Sequence, residues 1–449
     1  MSTVPIPNNP LLTAAMPPLL KRLTWPVMAG MLTLMSFNLV DTFFISLLGT
    51  QQLAAISFTF PVTFTLISLA IGLSIGTSAV TAKALGSGQT ANARNDSLGA
   101  LWLSVLLVSL LALLCYWLLD PLFLLLGATP DILGYIREYM VVWLAGSMLL
   151  VTPMIGNAIL RAAGETKIPS LVMASSGVVN AVLDPILIFG IGPIPAMGMT
   201  GAAIATVISW LTGFIFILYW LKVKRGLISH WFMPWTLFIA VSRKILHIGL
   251  PAAGANMLTP LAMAVLTAIM ATYGPEAVAA FGVGARLESL ACLVILALSM
   301  TLPPVISQNF GAGQFDRVRE AYQLCCRFVL IWQIALYGVL ALLAYPIAAV
   351  FTDNPQVAMY LRWFIWIMPL AYGLQGIIIL TNSSFNALHL PAKAVVLSLF
   401  RLFICYVPLA WLGGVLLGVV GVFIGCIIAN LLTAATAYFW YQRVLLRFA

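Results

Sequence analysis

Residues 101–119 read LWLSVLLVSLLALLCYWLL, a run of nineteen residues without a charged side chain. A helix needs about 20 apolar residues to cross the hydrocarbon core of a bilayer, and this run has that length. It does not alternate between polar and apolar side chains, as the roughly ten-residue strands of a transmembrane barrel do. The stretch therefore predicts a membrane-spanning α-helix.

The rest of the chain has the same character, with 62% hydrophobic and 7% charged residues among 449 and a mean hydropathy of +1.08. Soluble domains carry about 25% charged residues, and disordered chains have low hydrophobicity, so both classes are excluded. Apolar runs bounded by Gly, Pro or charged residues predict twelve spanning helices. They lie near 26–48, 59–82, 97–119, 138–157, 168–190, 198–222, 244–272, 278–307, 321–345, 358–380, 393–413 and 418–440.

The basic residues predict the orientation of these helices. If the N-terminus is cytoplasmic, seventeen of the 21 Lys and Arg residues fall on the cytoplasmic side, and the opposite loops hold only Arg137 and Arg362. This asymmetry is the positive-inside pattern of membrane proteins. We therefore expect a multi-pass protein of the inner (plasma) membrane with both termini cytoplasmic. The formal net charge of +9 then reports topology, and nucleic acid is not an expected partner.

The chain also repeats itself with an offset of 225 residues. Gly86, Gly88 and Gln89 fall on Gly311, Gly313 and Gln314, and Pro26 falls on Pro251. An even number of helices per half gives both halves the same direction in the membrane, related by an axis along its normal. The prediction is an all-α integral membrane protein whose twelve transmembrane helices form two pseudo-symmetric six-helix bundles around a central cavity. The expected parts are an N-terminal lobe at 1–222, a cytoplasmic interfacial linker at 223–243 and a C-terminal lobe at 244–449.

Duplicated six-helix halves favour alternating access, which an enzyme does not require. The sequence contains no metal or nucleophile motif and no Gly-rich nucleotide-binding loop of the Walker type. We therefore expect a transporter without enzymatic activity or a bound cofactor, coupled to an ion gradient. Its expected partners are small-molecule drugs and the lipid bilayer, and we expect a monomer.

Several motifs resemble those of the multidrug and toxic compound extrusion (MATE) family, over nearly the whole chain. They include 38–42 (NLVDT), the paired segments 84–89 (ALGSGQ) and 309–314 (NFGAGQ), 160–167 (LRAAGETK) and 201–206 (GAAIAT). Members of the NorM branch carry carboxylates on the seventh and tenth helices, whereas 244–272 and 358–380 contain none here. Asp41 and Asp184 are instead similar to the DinF-like branch, whose coupling site lies in the N-terminal lobe.

The residues themselves also indicate a coupling site, because a carboxylate in a membrane span is costly and usually functional. Counted along their helices, Asp41, Asp184 and Thr206 all lie ~9–12 Å below the outer face. Asn180 shares a helix face with Asp184. These four residues offer oxygen ligands, which suit a sodium ion or a proton shared between carboxylates. The resemblance implies the same four positions, and it leaves the choice between H⁺ and Na⁺ open.

Other residues carry further expectations. Pro26 is expected to permit bending of the helix that bears Asp41. Arg286, Glu288 and Arg401 also lie in spans, and we expect a structural ion pair of Glu288 with Arg401, with a substrate contact as the alternative. A pliable substrate cavity is expected to involve Asn157, Met31, Met35, Phe64, Met173 and Met257.

The combined prediction is a multidrug efflux antiporter that couples inward flow of H⁺ or Na⁺ to export of amphipathic or cationic organic compounds. One alternative is a lipid-linked oligosaccharide flippase of the same superfamily. Such flippases tend to have a strongly cationic cavity, for which only Arg286 and Arg401 are candidates here. A second alternative is a non-transporting membrane scaffold or receptor, which would have no use for two buried acids.

Overall fold

A computed structural model describes residues 9–228 and 232–448, except for the side chain of Asn38. Within these residues the chain is helical and contains no β-strand. Eleven helices there are long and apolar enough to cross a membrane, and the longest, Pro391–Leu445, contains two spans. They meet at Gly418, where φ is 65° and the helical path is broken. The described part of the chain thus has twelve spans, as predicted.

We number the spans α1–α12 in chain order. The first seven are Met16–Ser46, Thr50–Gly86, Thr90–Trp117, Pro130–Ala162, Lys167–Phe189, Gly198–Tyr219 and Trp235–Ala271. Of the next four, α9 is the single helix Phe315–Leu342. Two others consist of two segments each: α8 is Pro275–Ala291 with Leu293–Gly311, and α10 is Pro355–Ile367 with Tyr372–Ala387. α11 runs from Pro391–Leu399 through the π-helical segment Phe400–Tyr406 to Gly418. α12 follows Gly418 and ends at Leu445.

The observed helices cover most of each predicted apolar run, and several begin before it. α2 begins at Thr50 rather than near 59, and α9 begins at Phe315 rather than near 321. These extra turns carry polar residues, which a hydropathy window does not register although the backbone hydrogen bonds continue through them. The lengths of the membrane-crossing cores were therefore predictable, and the helix ends were less so.

The helix surfaces are those of a protein solvated by lipid. Large apolar side chains are exposed on several spans, including Leu342 at 84% and Leu416 at 69% of their full accessible surface. On a soluble protein such surfaces would aggregate or mark interfaces, whereas on a spanning helix they face hydrocarbon.

The duplication is visible in the backbone geometry of the corresponding turns. Gly88 and Gly313 have φ values of 75° and 73°. The backbone N–H of Gln89 donates to the Ala84 carbonyl at 2.9 Å, and that of Gln314 donates to the Asn309 carbonyl at 2.8 Å. The sequence repeat thus encodes the same helix ending twice, with a left-handed residue that glycine adopts without strain.

The described chain divides into two compact units whose boundaries lie inside helices. One unit comprises residues 25–253, and the other joins residues 9–24 to residues 254–448. The first turns of α1 therefore belong to the second unit, and the first half of α7 belongs to the first unit. Corresponding contacts occur in both units. In one unit, Thr24 Oγ1 lies 3.0 Å from Thr301 Oγ1. The positions equivalent to these two in the repeat, Gly249 and Gly76, are in contact in the other unit.

The predicted linker is partly described. The chain leaves α6 through the π-helical segment Trp220–Lys224, and α7 begins at Trp235, whose ring stacks on that of Phe238 at 5.2 Å. Residues 229–231, which fall within the predicted linker, lie outside the described residues, as does the N-terminal part of the predicted first lobe before residue 9. The boundaries of lobes and linker at 222 and 244 stay predictions.

Candidate functional site

Most hydroxyl groups in the spans are satisfied within their own helices. Thr77 Oγ1 donates to the Leu73 carbonyl at 2.7 Å and Ser74 Oγ to the Ala70 carbonyl at 2.8 Å, which is the usual way for a helix in lipid to accommodate Ser and Thr. A carboxylate has no hydrogen to donate to such a carbonyl when it is ionised. The acids in the spans therefore need donors other than the carbonyl groups of their own helix.

α1 and α5 supply two such acids because they pack side by side in a parallel register. A Cβ atom on Gly30 would lie 3.0 Å from the Cα of Ser170, and one on Gly177 would lie only 2.1 Å from Phe37 Cδ2. Farther along, the rings of Phe44 and Phe189 approach to 6.3 Å between centroids. The first two contacts are seven residues apart on both helices, and all three run in the same direction along α1 and α5, so they define one continuous contact face.

Asp41 and Asp184 lie on this contact face. Asp41 follows Phe37 by one helical turn, and Asp184 follows Gly177 by two turns. The Asp184 side chain is completely buried, and the two carboxyl groups are close enough to interact directly. Two ionised carboxylates in contact repel each other strongly in a low-dielectric interior, so this arrangement calls for a proton or another cation between them.

Asn180 is the third predicted residue at this site. Its Nδ2 donates to Asp184 Oδ1 at 3.2 Å. The other Asp184 oxygen, Oδ2, and Asp41 Oδ1 are shielded from solvent and have no hydrogen-bond partner among the described residues. The site thus holds two buried acceptor atoms in need of a positive charge or a donor.

Thr206 reaches the acids through a residue that the sequence did not reveal, Tyr139 on α4. Thr206 Oγ1 donates to the Ala202 carbonyl at 3.0 Å, and the Tyr139 hydroxyl lies beside the Thr206 side chain, near both Asp41 and Asp184. α4 and α6 meet closely there, because a Cβ on Gly146 would lie 2.4 Å from Val207 Cγ2. A single buried Tyr in an apolar span gives no sequence signal that distinguishes it from a packing residue.

The remaining predicted residues are not brought to this pair. Asn157 is buried on α4, but it lies eighteen residues after Tyr139, ~27 Å along the helix axis. Met31 and Met35 lie on other faces of α1 than Phe37 and Asp41.

Phe64 stacks on Phe60 within α2, at 5.4 Å between ring centroids. Met173 lies eleven residues before Asp184, ~16 Å along α5. Met257 is largely exposed and belongs to the other unit. α1 is helical through Pro26, and bending there stays a prediction.

The described residues contain no group of three or more His, Cys, Asp and Glu side chains that could hold a metal ion. The expected Glu288–Arg401 ion pair is also not formed: three ion pairs within 4.0 Å are found among the described residues, and neither side chain takes part. Glu288 instead accepts a hydrogen bond from Gln375 Nε2 at 3.1 Å. That prediction was wrong because Gln375, on a third helix, lies closer to the carboxylate.

Twelve duplicated spans with a buried acid pair in the first unit are the architecture of a membrane transporter. The chain belongs to the MatE family, whose model matches residues 26–186 and 251–412, one match in each half. It is therefore a MATE transporter and not an enzyme.

Among curated relatives, the chain is 42% identical to the FAD transporter of Shewanella oneidensis, over 97% of this chain and 96% of the relative. It is 25% identical to the probable multidrug resistance protein NorM of Thermotoga maritima, over 75% and 72% of the two chains. Among solved structures, it resembles the Vibrio cholerae MATE transporter VcmN in the bent form, with a TM-score of 0.91 and 34% identity over 96% of this chain and 97% of that one. A MATE structure in the straight conformation matches with a TM-score of 0.91 and 29% identity, over 100% and 99%.

Proposed function

We propose that this transporter exports an organic solute in exchange for a proton that binds between Asp41 and Asp184. The observation that carries the proposal is the contact of the two acids on the shared face of α1 and α5, where Asp41 Oδ1 and Asp184 Oδ2 are buried without a partner among the described residues. A proton held between the carboxyls satisfies both groups and removes their mutual repulsion.

The donors around the pair favour a proton over sodium. Asn180 points its N–H group, not its carbonyl oxygen, at Asp184. The Thr206 hydroxyl donates to the Ala202 carbonyl, and the Tyr139 hydroxyl lies beside it. A sodium ion would need several free oxygen ligands, and these two side chains do not supply them in this arrangement.

For the exported solute, we propose FAD as the first candidate. The relative named as an FAD transporter is 42% identical over nearly the whole chain. Two relatives named as multidrug proteins are 25% and 24% identical, over 75% and 92% of this chain. Export of amphipathic or cationic drugs is the second candidate, supported by those relatives.

The test is transport by the purified full chain in sealed vesicles, with FAD or a cationic dye as solute and either a pH gradient or a sodium gradient as the only driving force. For the Asp41→Asn and Asp184→Asn variants we expect loss of gradient-driven transport, because an amide cannot bind and release the proton. Asp131→Asn is the matched control, since Asp131 is exposed in the first turn of α4. Wild-type rates in both acid variants would refute the coupling site, and transport driven by sodium alone would replace the proton.

A further inference from the structure

A second group of polar side chains lies within the spans of the other unit. Its members are Glu288 on α8, Gln375 on α10 and Arg401 on α11. Arg401 follows the start of α11 by ten residues, and Gln375 precedes the end of α10 by twelve, so both lie ~15–18 Å from those helix ends. That depth is near the middle of a bilayer about 30 Å thick. Charged groups at this depth are costly and usually face a polar cavity.

The contacts within this group leave Arg401 available. Gln375 holds Glu288 by the hydrogen bond to its Oε1. The guanidinium carbon of Arg401 lies 5.3 Å from the centroid of the Tyr406 ring, so one face of the cation is covered and its N–H edges remain. Arg401 takes part in none of the ion pairs found in the described part of the chain. All three side chains are only partly buried, so a solute can reach them.

The local backbone places Arg401 against Tyr406. Residues 400–406 form a π-helix, and such segments are rare and frequently mark functional sites. Arg401 and Tyr406 are five residues apart in the chain, which is the spacing of the backbone hydrogen bonds in a π-helix. A regular α-helix would bring together residues three or four apart instead.

The repeat shows what this place corresponds to in the first unit. Pro169 and Pro391 align near the starts of α5 and α11, which puts Tyr406 at the position of Asp184. Gly198 and Gly418 align at the starts of α6 and α12, with φ values of 54° and 65°. That alignment puts Cys426 at the position of Thr206.

Tyr406 and Cys426 are both buried and lie close to each other. The second unit has thus replaced the acid of the coupling site by a neutral pair, and it carries a cation beside that pair. A site of this kind does not repeat the proton-binding chemistry of the first unit. Its free guanidinium edges fit the oxygens of a phosphate group, which a guanidinium binds through two parallel hydrogen bonds.

We propose that Arg401, packed against Tyr406, is an anion subsite that binds the phosphate groups of the exported solute, near the Glu288 carboxylate that accepts a hydrogen bond from Gln375. This inference rests on the proposed export of an organic solute and names the chemical class of that solute as a phosphate ester or pyrophosphate. The two lobes then have separate tasks, proton coupling in the first unit and recognition of an anionic group in the second.

The test compares FAD with riboflavin, which has the same ring system without phosphate, as ligands of the purified full chain, followed by flavin fluorescence. We expect Arg401→Gln to weaken FAD binding by about tenfold and to leave riboflavin binding unchanged, with Arg401→Lys intermediate. Glu288→Gln should strengthen FAD binding or leave it unchanged, because it removes a negative charge near the phosphates.

The outcomes separate this proposal from its alternatives. If Arg401 has only a structural role, Arg401→Gln and Arg401→Lys will both weaken the binding of FAD and of riboflavin. Equal FAD binding by Arg401→Gln and wild type would also overturn the proposal. Inorganic pyrophosphate should compete with FAD in the wild type only. Repeating the titration in lipid nanodiscs with and without anionic lipid identifies the source of the phosphate. If anionic lipid displaces FAD from the protein, Arg401 binds a lipid headgroup instead.

The proposed function fails in a different way from this inference. If Asp41→Asn abolishes gradient-driven dye export but wild-type chain binds no FAD, the coupling site stands and the anion subsite falls. If Arg401→Gln loses FAD binding while both acid variants transport normally, the anion subsite stands and the proton site falls.

Discussion

Tyr139 connects the fourth predicted coupling residue, Thr206, to the acid pair. Its hydroxyl group lies beside the Thr206 side chain and near Asp41 and Asp184. Thr206 itself is oriented by its bond to the Ala202 carbonyl. The two hydroxyl groups thus lie together at the edge of the site.

For Tyr139→Phe we expect a decrease in the free energy of unfolding of about 1 kcal/mol, the typical net value of one hydrogen bond. We also expect a several-fold lower rate of proton-driven transport, because the edge of the acid pair loses a fixed dipole. Thermal unfolding in detergent and vesicle transport measure the two effects. Tyr135→Phe, one turn away on α4, is the control. Identical transport by Tyr139→Phe and wild type would exclude a role for this hydroxyl in coupling.

At the scale of helices, the absence of side chains at two glycines decides the site. Gly30 and Gly177 allow α1 and α5 to approach until Phe37 occupies the space beside Gly177. The contact between Asp41 and Asp184 follows from that approach, since Asp41 lies one turn beyond Phe37 and Asp184 lies two turns beyond Gly177. Neither glycine has an unusual backbone conformation among the described residues, so their role is space.

Gly177→Val should therefore separate the acids without touching them. A Cβ there would lie 2.1 Å from Phe37 Cδ2, and overpacking of this kind destabilises proteins by about 1–3 kcal/mol. We expect transport to fall strongly and to recover in part in the double variant Gly177→Val with Phe37→Ala, which restores the space.

Gly134→Ala is the matched control on a spanning helix, because a Cβ at Gly134 meets no atom within 4 Å. Vesicle transport of the four proteins gives the comparison. No recovery in the double variant would show that Gly177 acts through something other than its contact with Phe37.

At the scale of the molecule, the described chain starts in one unit, at residues 9–24, and continues in the other from residue 25. The short helix Pro10–Thr13 belongs to the second unit. There Arg317 Nη2 donates to the Ala14 carbonyl at 2.7 Å, and Asn309 Nδ2 donates to the Leu11 carbonyl at 3.0 Å. Leu11 is buried beside these bonds. The segment before α1 is thus attached to residues about 300 positions away in the sequence.

For Arg317→Ala we expect this attachment to loosen, with faster hydrogen exchange and earlier proteolysis within residues 9–15. The loss of charge-assisted hydrogen bonds should lower the free energy of opening of this segment by about 1.5–3 kcal/mol. Arg319→Ala, two residues away, is the control, because no hydrogen bond is found for its side chain among the described residues. Equal exchange in both variants would show that Arg317 does not hold the segment.

The sequence by itself determined the twelve spans, the duplication, the family and the two acids. These properties are local or periodic: a helix in lipid must be long, apolar and internally hydrogen-bonded, and a charge within it is conspicuous because it is costly. Depth along each helix also placed Asp41 and Asp184 in one layer, as the contact between them requires.

Only the tertiary structure decided which faces meet. Close packing at Gly177 brings the acids together. Tyr139 of α4 lies near them. Asn157 lies ~27 Å from Tyr139 along the same helix. The tertiary structure also makes Gln375, and not Arg401, the hydrogen-bond partner of Glu288. In lipid, apolar residues point both outward and inward, so hydropathy does not tell which side of a helix faces its neighbours. That choice depends on the shapes of side chains far apart in the chain, and the function of this transporter depends on it.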